Sequence, residues 1–136
     1  LSRHGWSKPY SPVFLYKWGE SYAALKKDGA QYEYRNPLTG GPVMPTMGAR
    51  LDLISPGKQT KFKRHTGSVI YQVAAGRGWS EIGDLRFEWE EKDIFCVPSW
   101  TRYTHGNASS AEDVCLFSFN DFPAMKSMAL YREQAG

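Results

Sequence analysis

Apolar positions along the chain follow a helical period once and a strand period repeatedly. From about Leu15 to Lys27, Trp18, Tyr22 and Leu25 recur at helical spacing, and Asp28-Gly29 supplies a stop signal. So short a helix needs a surface to pack against, because isolated short helices do not persist in water. Asn36-Pro37-Leu38-Thr39-Gly40-Gly41-Pro42 reads as a turn-rich connection. Beyond it the period changes to that of strands, over Leu51 to Ile54, Lys61 to His65, Val69 to Ala74, Gly78 to Ile82, Leu85 to Trp89, Asp93 to Val97, Thr101 to His105 and Val114 to Phe119. Turn signals such as Ser55-Pro56-Gly57, Gly76-Arg77-Gly78 and Gly83-Asp84 separate them. Closely spaced strands of this kind predict an all-β barrel or double-sheet jelly roll. Pro123 to Arg132 is expected to add a final helical turn or two, and residues 1–14, with Pro9 and Pro12, to be irregular.

Composition narrows the function classes. The 136 residues suit one domain with its own core, and 7 Phe, 8 Tyr and 5 Trp with 13 Gly and 8 Pro favour strands and turns. A net charge of +3, with basic and acidic residues interleaved, lacks the dense stripe of a nucleic-acid surface. No apolar run approaches the ~20 residues that span a bilayer, and the start lacks signal-peptide blocks, so the expected location is cytoplasmic. Cys96 and Cys115 lie in apolar runs and are expected to be reduced core thiols. Glu88, Glu90 and Glu91 read as a solvated strand edge. A start at Leu1 instead of Met suggests a processed protein or a piece of a longer one.

Candidate chemistry concentrates between Lys61 and His105. Alternation along strands puts Lys61, Lys63, His65, Val69, Tyr71 and Val73 on one face, which would be the inward face if the pairing is regular. Two lysines and a histidine cannot face a dry interior unpaired. Either Lys61 and Lys63 pair with acids and reach outward, or they form a pocket for an anionic aromatic ligand. His65 as a metal ligand needs further donors, for which Tyr103 and His105 are the candidates. Trp100 reads as a packing residue at the barrel end more than as a ligand platform.

The spacing of these residues carries a family resemblance. Gly57, Lys63, His65, Val69 and Gly76, followed by Lys92, Pro98, Trp100, Tyr103 and Asn107, keep the intervals of the two cupin motifs. At the four usual ligand positions stand Lys63, His65, Val69 and Tyr103. Within the cupins, Tyr34 to Thr46, Phe95 to Trp100, Leu116 to Asp121 and Leu130 to Glu133 resemble the second cupin of gentisate 1,2-dioxygenases and related salicylate and hydroxynaphthoate ring-cleaving enzymes. That resemblance implies a cupin double-stranded β-helix (jelly-roll barrel) with a short N-terminal helical segment: a helical linker or N-terminal arm over 1–35, then the barrel with its C-terminal tail over 36–136. It implies Fe(II) in the intact enzyme, held by an upstream catalytic cupin, with no cofactor expected in this domain. It also implies homo-oligomer contacts and cleavage of a hydroxylated aromatic acid. In the catalytic half an arginine that pairs with the substrate carboxylate occupies the place of Tyr71, and an iron-ligating histidine the place of Tyr103. His105 corresponds to a second histidine near oxygen and substrate. The alternative expectation is a non-catalytic binding module for an aromatic or other organic acid.

Overall fold

The computed structural model describes residues 15–136; the irregular segment expected over 1–14 lies outside the described residues. Helix α1 (Trp18–Asp28) is followed by strands β1 (Gln31–Tyr34), β2 (Gly48–Ile54), β3 (Lys63–His65), β4 (Val69–Ala75), β5 (Gly78–Ile82), β6 (Leu85–Trp89), β7 (Ile94–Val97), β8 (Tyr103–Asn107) and β9 (Val114–Asn120). Helix α2 (Phe122–Ser127) and β10 (Glu133–Ala135) close the chain. Two five-stranded antiparallel sheets form, in the orders β1-β2-β9-β4-β7 and β10-β3-β8-β5-β6. Their facing sides make the jelly-roll core of the cupin fold, around Val69, Tyr71, Val73, Val97, Tyr103, Val114 and Leu116. Among the described residues no helix is long and apolar enough to cross a membrane.

Helix α1 covers the outer side of the first sheet. Leu25 is fully buried there with Leu51, Cys115 and Tyr34. Ser21 is buried beside it, with its hydroxyl turned back to the Lys17 carbonyl at 3.0 Å, and Tyr22 packs partly against the same cluster. Trp18, placed on the apolar stripe by spacing, is 47% exposed and stacks on Tyr22 instead. The helix ends where Gly29, at φ 100°, donates its N–H to the Leu25 carbonyl.

Two strands and one cysteine depart from the sequence reading. β1 lies within the segment expected to be arm, yet pairs with β2 along Gln31↔Asp52 to Tyr34↔Ala49. β10 lies beyond the expected helical tail and pairs Glu133, Gln134 and Ala135 with His65, Arg64 and Lys63. Cys115 is a free buried thiol as expected, whereas Cys96 is exposed. In β7 the strand period turns Phe95 and Val97 inward, so the residue between them faces out. Glu88 on edge strand β6, and Glu90 and Glu91 after it, are exposed as expected.

Candidate functional site

The strand period aims an unusual set of polar side chains into the barrel. Opposite Leu51 and Leu53, which face α1, β2 turns Arg50 and Asp52 inward, each with only 13% of its side chain exposed. Register then extends the row: Arg50 pairs with Ser118 of β9, Ser118 with Tyr71 of β4, and Tyr71 with Phe95 of β7. From the other sheet come Lys63 and His65 of β3, Tyr103 and His105 of β8, and Ser80 of β5. β3 meets β8 at Lys63↔Tyr103, with the Lys63 Nζ 5.7 Å from the Tyr103 ring centroid.

Of the residues singled out from sequence, the fold brings together Lys63, His65, Tyr71, Tyr103 and His105. Tyr71 and Tyr103 are 1% exposed and both histidines 3%. The His105 ring lies 4.6 Å from Tyr71 and 5.2 Å from Tyr103. Lys61 and Trp100 stand outside this group. Lys61 precedes β3 and is exposed, because the strand begins only at Lys63 and alternation cannot carry its side chain inward. Trp100 is 43% exposed and lies under the Arg64 guanidinium, 5.6 Å from its ring centroid.

Hydrogen bonding fixes what the two histidines present. The Trp89 indole N–H can only donate, and it does so to Ser80 Oγ at 2.8 Å. Ser80 is wholly buried, so its own hydroxyl donates to its other partner, His105 Nδ1, also at 2.8 Å. With Nδ1 accepting, the imidazole proton sits on Nε2, which has no hydrogen-bond partner among the described residues. His65 Nε2 is engaged by the Tyr103 hydroxyl at 2.7 Å. Phe122 packs against the His65 ring at 4.6 Å and is backed by Tyr131, which closes this side of the barrel.

The electrostatics are those of a cationic interior. Burial, then the nearby Lys63 and Arg50 charges, lower the pKa of His65 and push that of His105 down to about 3. Lys63 is itself lowered, by burial first and Arg50 next. Burial, followed by the neighbouring Tyr71, raises Tyr103 so far that it remains a phenol. Among the described residues no cluster of three or more His, Cys, Asp or Glu has a metal-binding arrangement.

Both cupin motifs keep their backbone shape with altered residues. Gly57 and Gly76 have φ of 70° and 89°, and at the second motif's glycine positions Lys92 and Trp100 adopt 76° and 56°. Left-handed conformations cost non-glycine residues about 1–2 kcal/mol. Lys92→Gly is therefore expected to raise the unfolding free energy by roughly 1 kcal/mol in urea denaturation, since the Lys92 side chain is exposed. No gain would mean that the turn is not strained.

Sequence reasoning missed Arg50, Asp52, Ser80 and Ser118. A signal was present: Arg50 and Asp52 alternate with Leu51 and Leu53, which marks a strand with two different buried faces.

No family model matches the chain. It is 37% identical to a 5-aminosalicylate 1,2-dioxygenase from Comamonas sp., over 96% of its own length and 38% of the relative's. A gentisate 1,2-dioxygenase from Aquipseudomonas alcaligenes is 34% identical over 90% of the chain and 38% of the relative. The chain thus spans well under half the length of these relatives. Among solved structures, a salicylate 1,2-dioxygenase variant from Pseudoaminobacter salicylatoxidans in complex with gentisate superposes with a TM-score of 0.87 at 28% identity, covering 96% of the chain and 39% of that protein.

Proposed function

The chain belongs to the family of gentisate, salicylate and aminosalicylate 1,2-dioxygenases, and from that premise we propose that it is the second cupin of a two-cupin enzyme, a half that completes the fold and builds subunit contacts. The reaction of the whole enzyme is then iron(II)- and oxygen-dependent ring cleavage of a hydroxylated aromatic acid, with the metal held in the other cupin. One observation carries the division of labour: the positions that would ligate iron hold a cationic and hydrogen-bonded set.

Iron(II) does not fit these donors. Burial, with the Lys63 and Arg50 charges added to it, depresses the histidine pKa values, and the field of those two cations also disfavours a dication. His65 Nε2 is taken by a phenol, His105 presents an N–H, and Tyr103 stays protonated. No catalytic step is assigned to these residues. The interior is a packed polar core, in which His65–Tyr103, Trp89–Ser80 and Ser80–His105 tie strands of the second sheet together and a Tyr71–Tyr103 hydrogen bond reaches across to the first, and the exposed faces are free to meet the catalytic cupin and neighbouring subunits.

The test is iron analysis and oxygen uptake on gentisate in the longer protein containing this domain. Iron content and turnover should survive His65→Gln and His105→Gln. Loss of iron in either variant, with the fold intact by circular dichroism, overturns the assignment. The same holds if the 136-residue chain alone binds iron stoichiometrically and consumes oxygen.

A further inference from the structure

A cavity of about 400 Å³ lies between the loop after β1 and helix α2, and Arg50 forms part of its lining. Around it stand Arg35, Pro42, Phe122 and Lys126, with Glu33 at the side. The volume is in the range of small-molecule pockets, which start near ~300 Å³. We propose that this cavity binds a small organic carboxylate, with its charge on the Arg50 guanidinium and its apolar body against Phe122 and Pro42.

Arg50 is only partly matched inside the protein: the Asp52 charge lies beside it and Tyr71 shares a hydrogen bond with its side chain. That leaves its Nε, which is buried and makes no hydrogen bond among the described residues. The nearest acid, Asp52, stands at 3.7 Å from that Nε, too far for a hydrogen bond, and its Oδ1 accepts from Gln31 at 2.8 Å. Glu33, the cross-strand partner of Arg50 on β1, turns its carboxylate to Arg35 at 3.1 Å. Glu33 is therefore engaged elsewhere, and the Asp52 Oδ2 pairs with Arg50 only through this long contact, without a hydrogen bond. Arg50 also faces a second buried cation, Lys63, across the interior. A buried guanidinium is stable when a carboxylate meets its fork in two parallel hydrogen bonds, and no side chain here supplies them.

The surroundings select the ligand class. Phe122 lies 5.8 Å from the Arg50 guanidinium and offers a flat apolar wall. Lys126, exposed on α2, adds a positive charge at the rim. Three cations against one carboxylate favour an anion over a neutral or cationic molecule. The apolar wall favours an organic acid over inorganic phosphate. The cavity adjoins the His65 group through Phe122 and Arg50, but neither histidine lines it, and the proposal does not depend on where the iron of the longer protein resides.

Calorimetric titration of the full chain with benzoate, acetate, inorganic phosphate and benzamide tests this. Benzoate should saturate one site per chain, acetate should bind more weakly, and neutral benzamide should give no saturable heat. Arg50→Met should weaken benzoate at least tenfold, and Arg50→Lys several-fold. If Arg50→Met does not fold, Lys126→Glu, on the exposed face of α2, keeps the test open and should weaken benzoate about fivefold. Absence of saturable benzoate binding, benzamide binding as tight as benzoate, or phosphate binding as tight as benzoate would each overturn the proposal. So would an affinity that Arg50→Lys and Lys126→Glu leave unchanged.

Discussion

Gly78→Ala is expected to leave little folded protein. Gly78 opens β5 and sits between β6 and β8, paired with Trp89 on one side and Asn107 on the other. A Cβ at this position would run into the Gly106 backbone carbonyl and the outer carbons of the Trp89 indole. The carbonyl belongs to the neighbouring strand and cannot move without breaking the β5–β8 ladder. The indole is pinned by its hydrogen bond to Ser80. Overpacked cores usually lose about 1–3 kcal/mol by shifting side chains, and this site lacks that relief. A loss of at least ~3 kcal/mol is expected, a large part of the ~5–15 kcal/mol that holds a domain of this size together. Urea unfolding followed by tryptophan fluorescence measures it. A variant within 1 kcal/mol of the parent protein would mean that β5 and β8 are not packed as closely as described.

The same close packing explains which elements were readable from sequence. All eight strands expected between residues 51 and 119 form, because each has one face in the core and its alternation survives in the residue types. β1 and β10 were not readable. Gln31-Tyr32-Glu33-Tyr34 and Glu133-Gln134-Ala135 are mostly exposed edge strands, and what makes them strands is the hydrogen-bonding side of a neighbour already in place. Helix α1 was legible in position but only partly in its contact face. Spacing chose Trp18, Tyr22 and Leu25: Leu25 is buried and Tyr22 packs partly against the same cluster, whereas Trp18 is exposed and the buried Ser21 carries no apolar signal.

The candidate site was half legible. Cupin-motif spacing identified Lys63, His65 and Tyr103, strand alternation and the family resemblance added Tyr71 and His105, and they converge because adjacent strands in register bring fixed positions together. The other half comes from strands outside the motifs. Arg50 and Asp52 lie outside the motifs and join the group only because the pairing of β2 with β9 sets them opposite Ser118 and Leu116. Ser80 and Trp89 looked like ordinary strand residues, yet their hydrogen bonds decide which nitrogen of His105 carries its proton. Sequence supplies the residue types, and tautomer and charge balance follow only from tertiary partners.

That proton inventory leads to acid lability above the range where carboxylates titrate. In the unfolded chain a histidine has a pKa near 6.5, whereas in the folded protein burial and the Lys63 and Arg50 charges push His105 to about 3. Between these values the unfolded chain holds a proton that the native protein does not, so stability must rise with pH across this window. The contribution of a neutral His105 is therefore complete above about pH 6.5 and declines as pH falls, by about 1.4 kcal/mol per unit. From pH 6.5 to 5 this amounts to roughly 2 kcal/mol, and His65, lowered for the same reasons, adds to it. Most carboxylates remain ionised in both states over that interval, which separates the histidine effect from ordinary acid unfolding. Urea denaturation at pH 7, 6 and 5 should show the decline, and His105→Gln should flatten it even though the variant is less stable at every pH. The slope, not the absolute stability, is the readout, because any substitution at a buried hydrogen-bonded position costs stability. Equal unfolding free energies at pH 7 and pH 5 would mean that His105 accepts a proton inside the barrel. The interior would then tolerate added positive charge, which would undercut the electrostatic argument against a metal at this site.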